Sequence, residues 1–205
     1  MIYIVDYGVG NIQAFLNLFK RLGLEARRAD TPDVLSDASR LVLPGVGHFD
    51  NAMQRLNDSG LRPKLEELVL GAQLPVIGIC VGMQMLAEGS DEGSLPGLNW
   101  VPGRVRAFAS QRQSADLPMP HMGWNDLKPS VHSKLFSKGF GDGAQFYFLH
   151  SYFFDAVDKR DVVATASYGL DFDAVVSRGH IHGVQCHPEK SHHWGEQLLK
   201  NFVEL

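Results

Sequence analysis

Pro75-Val76-Ile77-Gly78-Ile79-Cys80-Val81-Gly82-Met83-Gln84 is an apolar run broken by a cysteine between two glycines. Such a run suits a strand buried on both faces of a parallel sheet. Met83–Glu88 then reads as the opening of a helix, so the cysteine falls on a strand-to-helix turn. In that setting Gly-x-Cys-x-Gly is the thiol counterpart of the nucleophile elbow. A side chain at 78 or 82 would crowd the turn, and the turn itself demands a strained backbone. A helix starting behind the sulfur turns its N–H groups and positive dipole end toward it. That favours a thiolate and offers the Val81 N–H to a developing oxyanion. The same glycines could pack an inert buried thiol, and it is the flanking strand and helix that favour the reactive reading.

Outward from this turn, strand and helix signals alternate. Ile2–Asp6, Glu25–Ala29 and Arg40–Leu43 read as strands. Asn11–Leu22, Asp50–Ser59 and Leu61–Leu70 read as helices. This β-α-β-α rhythm predicts an α/β fold with a mostly parallel central sheet flanked by helices. After Gly89 the chain is punctuated by Gly93, Pro96, Gly97, Pro102, Gly103, Pro118 and Pro120, which predicts short strands and loops. Strand patterns return at Gln145–Leu149, Val162–Ser167, Ala174–Ser177 and Ile181–Gln185, and Ser191–Leu205 closes as a helix. Nothing resembles a repeat or a linker, so the expectation is one domain over residues 1–205.

The 205 residues are 44% hydrophobic, with 19 Lys+Arg against 23 Asp+Glu and a net charge of -4. Disorder, collagen-like repeats and coiled coil are excluded by that balance, and a general nucleic-acid binder is disfavoured. The most apolar stretches, Leu74–Leu86 and Phe146–Phe154, are too short and too interrupted for a membrane span. No basic region precedes the first apolar run, as a secretory signal would require. With only Cys80 and Cys186, a cytoplasmic location without disulfides is expected.

A thiol nucleophile needs a base, and the base an orienting group. Of nine histidines, His187 stands apart because His187-Pro188-Glu189 directly follows the strand pattern 181–185. In an open parallel sheet the ligand crevice lies beyond the carboxyl ends of the strands, so His187 can face Cys80 across it. Glu189 is spaced to hold the imidazole in one tautomer. Alone, His187 would read as a capped surface residue and Glu189 as a solvated carboxylate.

Taken together, Gly78–Gln84 and His187-Pro188-Glu189-Lys190 resemble the nucleophile and acid/base motifs of the triad-type (class I) glutamine amidotransferases. Asp6-Tyr7-Gly8-Val9-Gly10-Asn11, Pro44-Gly45-Val46-Gly47, Pro120-His121-Met122-Gly123-Trp124-Asn125 and His150-Ser151-Tyr152 are similar to segments of the glutaminase subunits of imidazole glycerol phosphate synthases. The resemblance implies a flavodoxin-like fold with an added small antiparallel β region. It implies a Cys80–His187–Glu189 triad cleaving L-glutamine, without metal or other cofactor. Val81 and the loop Gly45, Val46, Gly47 would form the oxyanion hole, the loop flipping when the partner is loaded. Gln84, Ser151 and Tyr152 would grip the substrate. The partner would be a (βα)8-barrel synthase/cyclase in a heterodimer, receiving ammonia in histidine biosynthesis to make imidazole glycerol phosphate and AICAR. Met122 and Trp124 would lie at that interface, with Asn11 near the ammonia exit. The segments Lys190–Gly195 and Tyr168–Phe172 also look like paralogous glutaminases that feed sugar amidotransferases of surface-polysaccharide (O-antigen) synthesis. The acceptor thus stays open between two pathways.

Other motifs carry less. Gly8-Val9-Gly10 opens a dinucleotide fingerprint whose third glycine is replaced by Gln13. His180, His182, His192 and His193 are expected to be surface histidines rather than metal ligands. Cys186, where the family more often has phenylalanine, is expected to pack as a small buried hydrophobe. A stand-alone cysteine hydrolase or peptidase would not need Gln84 and Ser151-Tyr152, and a non-catalytic subunit would be expected to lack a triad member.

Overall fold

In chain order the elements are β1 (Ile2–Val5), α1 (Ile12–Arg21), β2 (Ala26–Ala29), β3 (Arg40–Gly45), α2 (Phe49–Asp58) and α3 (Arg62–Glu66). Then follow β4 (Val76–Cys80), α4 (Val81–Gln84), β5 (Gly89–Ser90), β6 (Gly103–Ala107), β7 (His121–Asp126) and β8 (Lys128–Pro129). The chain ends with β9 (Gln145–His150), β10 (Tyr152–Ala156), β11 (Val162–Tyr168), β12 (Leu170–Arg178), β13 (Ile181–Val184) and α5 (His192–Glu204). These come from a computed structural model that describes residues 1–114, 116–130, 133–141 and 143–205.

The main sheet runs β2-β1-β3-β4-β13-β12-β10-β6-β5, with β11 beside β12 and β8 beside β11. From β2 to β13 every pairing is parallel, and the order 2-1-3-4 followed by a fifth strand is that of flavodoxin-like doubly wound sheets. β1 and β4 are buried at every residue, as their unbroken apolar sequences require of strands covered on both faces. Beyond β13 the sheet continues through antiparallel pairs as far as β6, and the short β5 lies parallel to β6 at the edge. A separate two-stranded antiparallel sheet, β7 with β9, is the added β region.

The main departure from expectation is the helix after Cys80. Rather than starting at Met83 and running to Glu88, it starts at Val81 and ends at Gln84. Its would-be continuation is intercepted: the amides of Leu98, Trp100 and Asn99 donate to the carbonyls of Met85, Leu86 and Ala87. Those carbonyls are satisfied by a neighbouring loop, and the chain leaves for β5 after one turn. The third expected helix is also shortened, passing after Glu66 into a single π turn over Glu67–Gly71. Among the described residues no helix is long and apolar enough to cross a membrane.

Candidate active site

Cys80 ends β4 with φ 55° and ψ -114°, a region costly for a residue with a side chain. The close packing around it explains the glycines. A Cβ at Gly78 would lie 2.5 Å from the Gly82 carbonyl oxygen, and one at Gly82 would land on the Leu43 carbonyl of β3. Gly45, level with Cys80 in the β3–β4 register, abuts the backbone of Val81 and Gly82 in the same way. Val46 and Gly47 continue from it into the wall of a cavity, with Gly47 at φ 81°.

That cavity has a volume of about 410 Å³, and Cys80, Val81, Gln84, Ser151, Tyr152 and His187 all line it. His187 reaches it because β13 lies parallel beside β4, Val184 opposite Ile79, so both chains emerge at the same edge of the sheet. His187 Nδ1 lies 2.8 Å from Glu189 Oε1, and their side chains are only 4% and 5% exposed. Pro188 starts the 3-10 turn between them. His187 Nε2 is buried without a hydrogen-bond partner, and so is Glu189 Oε2. Burial by itself lowers the His187 pKa, but the nearby Cys80 and Glu189 side chains push it up to about 10. Cys80 is thus near enough to act on the imidazole with no hydrogen bond yet formed, a looseness common before substrate arrives.

A polar network runs behind the sulfur. Gln84 Nε2 donates to the Tyr152 carbonyl at 3.1 Å and to Gln185 Oε1 at 3.1 Å. Gln185 Nε2 in turn donates to Cys80 Sγ at 3.8 Å. The Tyr152 carbonyl also accepts from His150 Nδ1 at 2.8 Å. Burial pushes His150 down to about 3 and His121 down to about 4, so both are neutral. His150 Nε2 must then accept from His121 Nδ1 at 3.0 Å, and His121 Nε2 from Asn125 Nδ2 at 3.2 Å. The sequence marks no role for Gln185, His121 or His150, although each lies in or close to a segment that carries the resemblance. Glu92, also unassigned, lines the cavity and makes no ion pair among the described residues. Only its Oε2 is engaged, by the Phe49 amide.

The remaining expected residues lie outside this array. Asn11 caps α1, its Oδ1 accepting from the Ala14 amide at 3.1 Å. The loop before it packs on the Pro44–Gly47 segment, since Gly10 abuts Pro44 and the Tyr7 hydroxyl donates to the Pro44 carbonyl. Met122 and Trp124 alternate outward on β7, 64% and 45% exposed, and Trp124 stacks on His192. Cys186 is fully buried, and both cysteines are free.

Two of the four C-terminal histidines correct the expectation that they are surface residues. His182 is buried on β13 against Ser177 and Phe202, because position 182 faces the helix layer formed by α5. His180 is half-buried and hydrogen-bonds the Val69 carbonyl. No group of three or more His, Cys, Asp or Glu is arranged to hold a metal among the described residues.

Comparison with known proteins agrees with this geometry. The family model for glutamine amidotransferase class-I matches residues 3–205. The chain is 57% identical, over all of both chains, to imidazole glycerol phosphate synthase subunit HisH of Bdellovibrio bacteriovorus. It is 44% identical, again over all of both, to the subunit HisH of Leptospira borgpetersenii. In fold it is similar to a crystal structure of a glutamine amidotransferase, with a TM-score of 0.74, 21% identity and coverage of 99% and 97%. PurLQS from Thermotoga maritima is another structural neighbour, with a TM-score of 0.71, 17% identity and the same coverage. A match over nearly the whole length, with Cys80 on its elbow and His187 beside it, means that the chain belongs to the class-I glutamine amidotransferase family.

Proposed function

We propose that this chain is the glutaminase subunit of an imidazole glycerol phosphate synthase, working as one domain in the cytoplasm. It hydrolyses L-glutamine to glutamate and ammonia and passes the ammonia to a (βα)8-barrel synthase subunit in histidine biosynthesis. The observation that carries this reading is the buried Cys80, His187 and Glu189 array opening on a cavity of about 410 Å³. That volume lies within the range of small-molecule sites, about 300–1,000 Å³. The relatives named HisH supply the pathway. Nothing in the cavity or among these relatives favours the polysaccharide alternative.

In this reading the Cys80 thiolate attacks the side-chain carbonyl carbon of glutamine, and the carbonyl electrons move to oxygen. The Val81 N–H and a backbone N–H of the Gly45-Val46-Gly47 loop take the oxyanion. His187, charged and held by Glu189, gives its proton to the departing ammonia. It then takes a proton from the water that cleaves the thioester. Both Gln84 Nε2 protons are engaged inside the protein, so only its Oε1 can meet the substrate. That acceptor and the unpaired Glu92 carboxylate suit the α-ammonium group, while the backbone at Ser151 and Tyr152 suits the α-carboxylate.

Ammonia freed into water would be protonated and lose its nucleophilicity, which argues for direct transfer within a heterodimer. Met122 and Trp124 offer an exposed Met and aromatic pair of the kind that anchors interfaces. Asn11 lies close to the oxyanion loop, where a docked partner could bias that loop's peptide orientation.

The deciding experiment pairs the chain with its cognate synthase. Glutamine-dependent synthesis should vanish in Cys80→Ala, whereas synthesis from added ammonia should survive. The wild-type pair should also restore growth to a strain lacking its histidine-pathway glutaminase. Glutamine-dependent turnover persisting in Cys80→Ala would refute the nucleophile, and failed complementation by an active, folded pair would refute the pathway.

A further inference from the structure

Two amides follow from one another behind the nucleophile. Gln84 Nε2 faces the Tyr152 carbonyl, which can only accept, so this end of Gln84 must be its NH2 group. The same NH2 meets Gln185 at 3.1 Å, so the Gln185 atom there must be the acceptor Oε1. Gln185 Nε2 is therefore turned to the Cys80 sulfur, 3.8 Å away. Both side chains are buried, and Gln185 directly follows β13, whose last residue, Val184, pairs with Ile79 beside Cys80. Its amide orientation thus has no freedom while Gln84 stays in place. The other contact to the sulfur, the Leu149 carbonyl at 3.9 Å, can only accept from a thiol and does nothing for a thiolate.

We propose that Gln185 is a further catalytic residue, whose Nε2–H donates to the Cys80 sulfur and stabilises it as the thiolate. The inference rests on the glutaminase reading of this site and adds a group to it. Sulfur carries negative charge twice in the cycle. It does so before its lone pair forms the bond to the glutamine carbonyl carbon, and again when water breaks that bond and the electrons return to sulfur. A fixed amide donor lowers the cost of both states and needs no proton of its own. Because Gln84 both holds Gln185 and faces the substrate, binding at Gln84 Oε1 tightens the same chain that ends on the sulfur.

The test is the pH dependence of Cys80 alkylation by iodoacetamide in the free full-length chain, with the adduct located by mass spectrometry. The titratable and charged groups around the sulfur are His187 with Glu189 behind it, Tyr7, Cys186 and, across the cavity, Glu92, Lys190 and His150. All of them stay unchanged in Gln185→Met. That variant keeps the side-chain length and removes the donor to the sulfur, together with the acceptor of the Gln84 amide, which lies one hydrogen bond further from the sulfur. Its alkylation midpoint should rise by about one pH unit, and its rate below the midpoint should fall about tenfold. A folded Gln185→Met chain with the wild-type midpoint overturns the assignment. If the variant loses its native melting transition, the wild-type chain provides the readout. Its Gln185 side-chain amide protons, followed by NMR, should shift with the same midpoint as alkylation, and resonances that stay fixed through that midpoint overturn it. Alkylation needs neither glutamine nor a partner, so a failure here is separate from a failure of the Cys80→Ala experiment.

Discussion

His187 has to be a proton donor when ammonia leaves and a base when water attacks, and its surroundings hold it as the donor at the start of the cycle. Burial alone would discharge it, but Cys80 and Glu189 together lift it to about 10. A pKa raised above the ordinary histidine value of about 6.5 stabilises the fold fully below that pH, and the contribution fades as pH rises through 10. Removing one of the two partners must bring it down. In Cys80→Ala the imidazole titration followed by NMR should move to lower pH, whereas an unmoved titration would mean the sulfur does not act on it. Glu189→Gln should lower it too, and cut glutaminase turnover about 100-fold or more by releasing the tautomer. Cys80 and His187 are each legible in sequence, since the glycine pair and the His-Pro-Glu order mark them. Gln185 is not, because a glutamine at the end of an apolar strand pattern signals nothing until its neighbours, the Gln84 amide and the Cys80 sulfur, are known.

At the scale of elements, the elbow depends on how closely β3 and β4 approach the turn. Gly82 passes against the Leu43 carbonyl so tightly that any Cβ would strike backbone, which has no rotamer to escape into. Gly82→Ala should therefore cost about 2 kcal/mol or more, a fall in Tm of about 5 °C, with loss of activity. Gly71→Ala, which meets nothing within 4 Å, is the control and should melt like the wild type. A Gly82→Ala chain as stable and active as the control would show that the turn has slack. Strands β1, β3 and β4 could be read from sequence because their apolar runs are continuous. β6 and β7 could not: β7 reads His-Met-Gly-Trp-Asn-Asp, whose large apolar residues Met122 and Trp124 face outward rather than into a core, with prolines just before it. It becomes a strand because β9 pairs with it residue by residue. The length of α4 was equally hidden, being set by a loop that takes its carbonyls.

For the whole molecule, several polar side chains are held inside the tertiary packing, and that leaves a signature in acid. His150 and His182 are neutral when folded, with pKa values pushed by burial to about 3 and about 4. Above pH 6.5 they are neutral in the unfolded chain as well and contribute no pH dependence. Between 6.5 and 4 the unfolded chain binds protons that the folded one refuses, so stability falls as pH falls through that window. At pH 5 this amounts to about 2 kcal/mol for each residue. The Tm at pH 5 should lie on the order of 10 °C below that at pH 7.5, with a smaller difference in His182→Gln. A pH difference in Tm that is unchanged in His182→Gln would mean that this imidazole is charged inside the fold.

Local chemistry in the sequence was enough to determine a parallel α/β core, a cysteine on a glycine-bounded turn, and a His-Pro-Glu partner at another strand end. Periodicity, backbone permissiveness and residue chemistry are properties of neighbouring residues, so they survive in one dimension. The strand order that brings β13 beside β4 was decided only in three dimensions. So were the arrest of α4, the burial of His182, and the amide chain from Tyr152 through Gln84 and Gln185 to the sulfur. Each of these depends on which distant backbone group arrives to accept or donate a hydrogen bond, and pairings between distant segments leave no local mark in the sequence.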